Sequence, residues 1–150
     1  MLEKYSHTDL RNVFSEFHKY MTDPVFICNS DFKIVYANEA FLGFSQKSMD
    51  QVLNNPYGNV MGCMYIEKGG KDCGGNYYCK ICKIRDAMKP CLSGDEKSLI
   101  NQTVRDFKLS DEIIFRFIVF TTVAITFDNK PHVLVIITRS QSDAETIISE

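Results

Sequence analysis

The sequence lacks an excess of charge of either sign. Lysine and arginine together number 17 and aspartate and glutamate 19, so the formal net charge of the 150 residues is −2. Nucleic-acid-binding domains and proteins that bind acidic lipids usually carry a strongly basic surface. We therefore expect neither nucleic acid nor a membrane among the partners of this chain.

Long hydrophobic runs and an export signal are also missing. The most apolar stretch, residues 113–127, contains Arg116 and is too short and too broken to span a bilayer. Residues 1–5 do not form the apolar centre of a secretory signal. We therefore expect a cytoplasmic protein. In that reducing compartment cysteines serve metal or redox chemistry more often than disulfides.

Motifs of common enzyme and haem classes are absent as well. The chain has no phosphate-binding glycine loop, no Ser-His-Asp order and no zinc-protease motif. Lys83 follows Cys82, so the attachment motif of c-type haem is not present. We expect His7, His18 and His132 to be surface or hydrogen-bonded histidines and not axial ligands.

The composition indicates one globular domain with a sizeable core, since 45% of the residues are hydrophobic and 12% aromatic. Residues 8–21 carry apolar side chains at the three-and-four spacing of one helical face. This amphipathic helix could pack on its own domain or form a dimer interface, and both interpretations stay open. We find no internal repeat and no low-complexity tract.

The first half of the chain predicts a hairpin followed by short helices. Residues 25–28 and 33–37 have the pattern of strands, with a turn cluster between them. Asn38 is suited to cap a helix, and Ser48 begins a capping box for another that runs to about Leu53. Residues 54–59 should break the chain.

The second half predicts one helix and three strands. The helix covers residues 79–88 and ends near Lys89 and Pro90. The strands cover residues 99–109, 113–127 and 132–138, the second of them rich in β-branched and aromatic residues. The predicted fold class is α+β, an antiparallel sheet with helices on one face.

Two stretches resemble PAS domains, the small sensor modules of signalling proteins. Residues 23–45, DPVFICNSDFKIVYANEAFLGFS, are similar to the opening hairpin and helix start of that family. Residues 115–140 resemble its two closing strands. The resemblance implies a five-stranded antiparallel sheet and the role of a sensor or dimerisation module that is not itself an enzyme. It implies the following division: an N-terminal helix at 1–21, the PAS domain at 22–140 with an insert at 62–88, and the start of a linker helix at 141–150.

The insert departs from a plain PAS domain because it contains Cys63, Cys73, Cys79 and Cys82, spaced C-x9-C-x5-C-x2-C. Four thiolates are the right number for a tetrahedral metal site. Cys79 and Cys82 should lie at the start of a helix, where the dipole favours negative charge on sulfur. Basic residues outnumber acidic ones in this segment and offset the charge of a zinc or iron–sulfur site.

The identity of the cofactor stays open between an iron–sulfur cluster and zinc, because four thiolates suit both. Two disulfides or four unrelated thiols are further interpretations of the same pattern. We expect Cys28 to be a small buried side chain. Cys91 is a possible substitute ligand or resolving thiol. A flavin adduct is disfavoured because the residues around Cys63 do not match the motif of flavin-binding PAS domains.

The sequence therefore predicts a PAS-type sensory domain that detects redox state or oxygen through an iron–sulfur cluster held by the four cysteines. One alternative is a dimerisation module with structural zinc, which forms homodimers through the N-terminal helix. Another is a thiol–disulfide switch. The last residues, with the pattern of a starting helix, predict that an output domain follows in a longer protein such as a histidine kinase. A free-standing regulator is the alternative interpretation.

Overall fold

The computed structural model of the chain describes residues 22–64, 66, 72–75 and 82–142. Three sequence predictions lie outside the described residues: the amphipathic helix at 8–21, most of the linker helix at 141–150, and Cys79. The fold below is that of the described residues.

The predicted opening hairpin is confirmed. Strand β1 (Val25–Cys28) pairs antiparallel with strand β2 (Ile34–Ala37). In the turn between them, the Asn29 side-chain oxygen accepts the backbone N–H groups of Asp31 and Lys33 at 3.0 and 3.1 Å. An asparagine bonded to its own following backbone fixes a tight turn, which is why this local signal could be read from the sequence.

Asn38 joins the hairpin to the first helix, α1 (Glu39–Ser45). Its side-chain oxygen accepts the N–H of Phe41 and the N–H of Val25, each at 2.9 Å, and its amide donates to the Asp23 carbonyl. The predicted cap is confirmed. Because the same side chain also bonds strand β1, the start of α1 is fixed to the edge of the hairpin.

Two short helices follow, α2 (Met49–Val52) and α3 (Tyr57–Met61). Helix α2 has the predicted capping box between Ser48 and Gln51. Helix α3 corrects the prediction that residues 54–59 only break the chain. Pro56 supplies its N-cap, and Tyr57 is 2% exposed, so burial of that apolar face stabilises a helix too short to form alone.

Helix α4 (Lys83–Ser93) continues past Pro90, whereas the sequence predicted an end near that residue. The apolar face explains the difference, because Met88 and Cys91 are both buried and the burial outweighs one lost backbone hydrogen bond. The helix ends at Gly94, which takes the left-handed conformation with φ 85°.

Three long strands complete the sheet: β3 (Ser98–Leu109), β4 (Glu112–Phe127) and β5 (Lys130–Ser142). The order is β2-β1-β5-β4-β3, and every neighbouring pair is antiparallel. Strand β5 is longer than the predicted 132–138. It includes residues 141 and 142, which were assigned to a linker helix, because β4 offers backbone partners as far as Arg116.

The main core lies between the helices and one face of the sheet. Alternation along β3 sends Thr103, Arg105, Phe107 and Leu109 to this inner face, and all four are buried. A smaller apolar cluster around Val25, Ile27 and Leu134 lies on the other face. None of the helices in the described part of the chain is long and apolar enough to cross a membrane.

Candidate functional site

Three of the four predicted thiol ligands are within the described residues. Cys63 directly follows the C-cap of α3, Cys82 is the N-cap of α4, and Cys73 lies in the chain between them. Each has its sulfur within hydrogen-bonding distance of an arginine. Helices α3 and α4 therefore bring the three thiols to the same side of the sheet.

Gly62 places Cys63 against the edge strand β3. Its φ of 80° is a left-handed conformation that glycine adopts without strain. The Lys108 N–H donates to the Gly62 carbonyl at 2.7 Å, and Cys63 forms an isolated antiparallel bridge with Phe107. A Cβ at position 62 would collide with the Lys108 carbonyl oxygen, so this approach requires glycine.

Cys82 has a buried sulfur that meets polar groups from three elements. As the N-cap of α4 it accepts the backbone N–H of Arg85 at 3.4 Å. Arg105 Nη1, from β3, donates to the same sulfur at 3.3 Å, and the Tyr57 hydroxyl, from α3, lies 3.4 Å away. N–H groups directed at a thiolate offset its negative charge, an arrangement that also suits the sulfur ligands of metals.

Arg105 contacts two of the predicted ligands at once. The same Nη1 that donates to Cys82 also lies 3.7 Å from Cys63 Sγ. Burial by itself would lower the pKa of Arg105, but negative charge on Cys82 and Cys63 raises it above the usual value. The guanidinium therefore remains charged between β3 and the cysteines.

Cys73 is held by a second arginine. Arg85 Nη2 donates to Cys73 Sγ at 3.2 Å, and the guanidinium stacks 3.9 Å from the centre of the Phe32 ring. The Asn59 side-chain oxygen accepts the backbone N–H of Cys73 at 2.9 Å. A Cβ at Gly58 would lie 2.7 Å from Cys73 Sγ, so the glycine leaves room for this sulfur.

The metal site itself stays a prediction. Within the described residues, no three histidine, cysteine, aspartate or glutamate side chains are arranged to hold a metal ion together. The structure brings Cys63 and Cys82 to one guanidinium and Cys73 to another, and it does not converge the three on one point. Cys79 is outside the part of the chain that is described.

Two residues of the site were missed in the sequence. Arg105 is a charged residue at an inward position of β3, on the same face as Phe107 and Leu109, and a charge among apolar inward positions is the signal that could have identified it. Tyr57 was assigned to a chain break. Burial raises the pKa of Tyr57, and charge on Cys82 and Cys73 raises it further, so the hydroxyl keeps its proton.

The two other cysteines are buried in the core. Cys28 on β1 is 0% exposed, and burial raises the pKa of its thiol, with a further contribution from charge on Cys73. Cys91 on α4 donates its thiol hydrogen to Thr122 Oγ1 at 3.5 Å. Cys28 therefore fits the predicted small buried side chain, and Cys91 is engaged with the sheet through Thr122.

Two small cavities lie near these residues. An open groove of about 160 Å³ beside Cys63 is lined also by Asn59, Met64, Ile66 and Lys108. A pocket between the helices and the sheet is lined by apolar side chains such as Met61 and Phe120, and it has no space that a water molecule could fill.

Comparisons with known proteins show the fold. No family model and no curated protein matches the sequence. Among solved structures, the chain is similar to the PAS domain of a two-component sensor histidine kinase, with a TM-score of 0.57, 10% identity and coverage of 89% of this chain and 99% of that one. It is also similar to the PAS domain of Bordetella pertussis BvgS, with a TM-score of 0.57, 13% identity and coverage of 94% and 93%.

A third similar structure is the PAS domain of nitrogen regulation protein NR(II) from Vibrio parahaemolyticus, with a TM-score of 0.53, 12% identity and coverage of 85% and 97%. These likenesses extend over nearly the whole of each solved domain. They agree with the five-stranded antiparallel sheet of this chain and with the fold that the sequence resemblance implied. This chain has the fold of the PAS domains.

Proposed function

We propose that this chain is a sensory domain of signal transduction whose input site is its cysteine-rich segment. The observation that carries the proposal is the placement of the Cys63 and Cys82 sulfurs on one guanidinium nitrogen of β3, with Cys73 on the guanidinium of Arg85. Sulfurs supplied with cationic N–H donors are suited to thiolate chemistry.

In this proposal Cys63, Cys73, Cys79 and Cys82 bind an iron–sulfur cluster, which would supply sensitivity to redox state or oxygen. The chemistry of the donors fits, since thiolates are the ligands of such clusters and N–H bonds to the sulfurs adjust the reduction potential of the cluster. Arg105 and Arg85 would act as those donors. Zinc on the same thiolates would instead give a structural clasp for a segment with few apolar residues.

The test is metal analysis of the full chain purified without air, with an absorption spectrum of the same sample. We expect iron and sulfide together with broad visible absorption of thiolate-to-iron charge transfer, which bleaches in air. Cys79→Ser should lose the metal, whereas Cys91→Ala, which removes a thiol of the core, should keep it. One zinc per chain in a colourless protein would contradict the iron–sulfur sensor and support a structural zinc site.

A second candidate is a thiol–disulfide switch, favoured by the shared contact of Cys63 and Cys82 with Arg105 Nη1. Two thiols would give two electrons and two protons to hydrogen peroxide, forming one disulfide and two water molecules. Mass spectrometry of peroxide-treated, metal-free protein would identify a Cys63–Cys82 link. Absence of that link, in protein in which peroxide has oxidised other thiols, would contradict the switch.

We further propose that the domain works in the cytoplasm as part of a homodimer and passes its signal to an output domain. Thiols that must stay reduced support the compartment. The role of regulatory module and not enzyme is proposed by analogy with the PAS domain of a sensor histidine kinase that this fold resembles. Light scattering of the full chain, compared with a variant that begins at residue 22, would test the assignment of the dimer interface to residues 1–21.

A further inference from the structure

We propose that Arg105 is a positioning residue of the cysteine site, which holds the Cys63 and Cys82 sulfurs side by side and joins them to strand β3. The inference deepens the proposed function, since it names the group that arranges two of the four ligands. It stands on contacts in the described residues and needs no bound metal.

The two sulfurs come from parts of the chain with no local reason to meet. Cys63 follows α3 and Cys82 begins α4, and the arginine lies 42 residues from the first and 23 residues from the second along the sequence. A single nitrogen lies within 3.3 Å of one sulfur and 3.7 Å of the other, so this guanidinium contacts both. Two thiolates repel each other, and a cation in contact with both offsets that repulsion.

The anchoring of Arg105 makes it suitable for this role. It is 9% exposed and lies on the inner face of β3, which pairs with β4 over its whole length. The backbone of the same strand bonds Gly62, next to Cys63, through the Lys108 N–H. A rigid strand thus carries both the side chain that contacts the sulfurs and the backbone group that holds the neighbouring residue.

The test measures how readily the two sulfurs can be bridged. Dibromobimane cross-links neighbouring thiols and fluoresces once both of its arms have reacted, and peptide mapping identifies the pair. Metal-free, reduced full-length protein is used. We expect Arg105→Met to lower the rate of Cys63–Cys82 cross-linking by about tenfold, the effect of losing one charge-assisted hydrogen bond. Arg105→Lys, which keeps a charged donor, should recover part of the rate.

Arg116 provides the matched control. It is the cross-strand partner of Arg105 on β4, and its guanidinium stacks 4.2 Å from the centre of the Phe44 ring. Arg116→Met removes the same charge from the neighbouring strand, and we expect it to retain a cross-linking rate near that of the wild type. Circular dichroism checks that each variant is folded. If Arg105→Met does not fold, Arg105→Gln, which keeps amide donors, takes its place. We expect its Cys63–Cys82 cross-linking to be slower than that of Arg105→Lys.

Two results would overturn the inference. One is a folded Arg105→Met or Arg105→Gln protein with the wild-type rate. The other is a folded Arg105→Lys protein that cross-links no faster than the uncharged variants, since packing and not donation would then hold the sulfurs. Because the protein in this experiment is metal-free, neither result bears on whether the cysteines bind a metal. Conversely, a finding that the purified protein contains no metal would leave the cross-linking result valid.

Discussion

At the scale of single residues, Gly62 is the position where the cysteine segment depends most directly on backbone geometry. A side chain there meets the Lys108 carbonyl and must also take a left-handed φ. We expect Gly62→Ala to lower the free energy of unfolding by at least about 2 kcal/mol. Urea unfolding followed by circular dichroism measures the loss, and Cys63 should at the same time become more reactive to alkylation.

Two other glycines separate the causes of that loss. Gly94 also has a positive φ, but an added Cβ would meet no atom within 4 Å, so Gly94→Ala should cost about 1 kcal/mol from conformation alone. Gly43 lies inside α1 with open space around it, and Gly43→Ala should stabilise the protein by about 0.5 kcal/mol. Equal losses of unfolding free energy in Gly62→Ala and Gly94→Ala would show that the collision with β3 adds nothing to the cost at position 62.

Cys28 gives a residue-scale prediction of pH dependence. Its folded pKa is raised, mainly by burial, so the unfolded chain releases the thiol proton first. The stability that this thiol contributes is therefore full below its usual pKa range and is lost as the pH rises from that range through the raised pKa of the folded protein. The difference in unfolding free energy between wild type and Cys28→Ala should shrink from neutral to alkaline pH. A difference in unfolding free energy that grows with pH would contradict a raised pKa of Cys28 in the folded protein.

At the scale of secondary-structure elements, Cys82 has two roles that substitution can separate. It caps α4 through the Arg85 N–H and is a proposed ligand. Serine is a good N-cap and a poor metal ligand in this setting, so Cys82→Ser should keep most of the stability of metal-free protein and lose metal binding. Cys82→Ala should lose both the cap and metal binding, and the free energy of unfolding of the metal-free protein should fall by about 1 kcal/mol. Equal stability of the two variants in thermal unfolding would exclude the capping role.

The elements that could be predicted from the sequence are those fixed by local chemistry. The asparagine cap at Asn38, the capping box at Ser48 and the turn at Asn29 each use a side chain bonded to backbone within four residues. Helix α3 was missed because its stability comes from burial of Tyr57. The end of α4 was misplaced because Pro90 is a local signal that tertiary packing overrides.

The site was predictable in part for the same reason. The spacing of the cysteines identified the thiols, but the contacts of Arg105 depend on strand register, which brings together residues far apart in sequence. The sequence could point to the thiols and not to the arginine that contacts two of them.

At the scale of the whole molecule, the position of β3 determines how a change at the cysteines could reach the sheet. This strand is at one edge, with β1 and β2 at the other end of the order. The Lys108 N–H points away from β4 and donates to the Gly62 carbonyl, so its hydrogen exchange reports directly on whether the cysteine segment is attached. The Asn38 N–H, which donates to the Val25 carbonyl near the opposite edge, is the matched reference.

We expect alkylation of Cys63 in folded, metal-free protein to accelerate exchange at the Lys108 amide by about tenfold and to leave the Asn38 amide unchanged. The added group would displace the sulfur from Arg105 and, through the adjacent Gly62, loosen the backbone bond to β3. Acceleration of both amides would indicate general destabilisation of the domain. Exchange unchanged at both would mean that the segment moves independently of the sheet, and the cysteines would then need another route to any output domain.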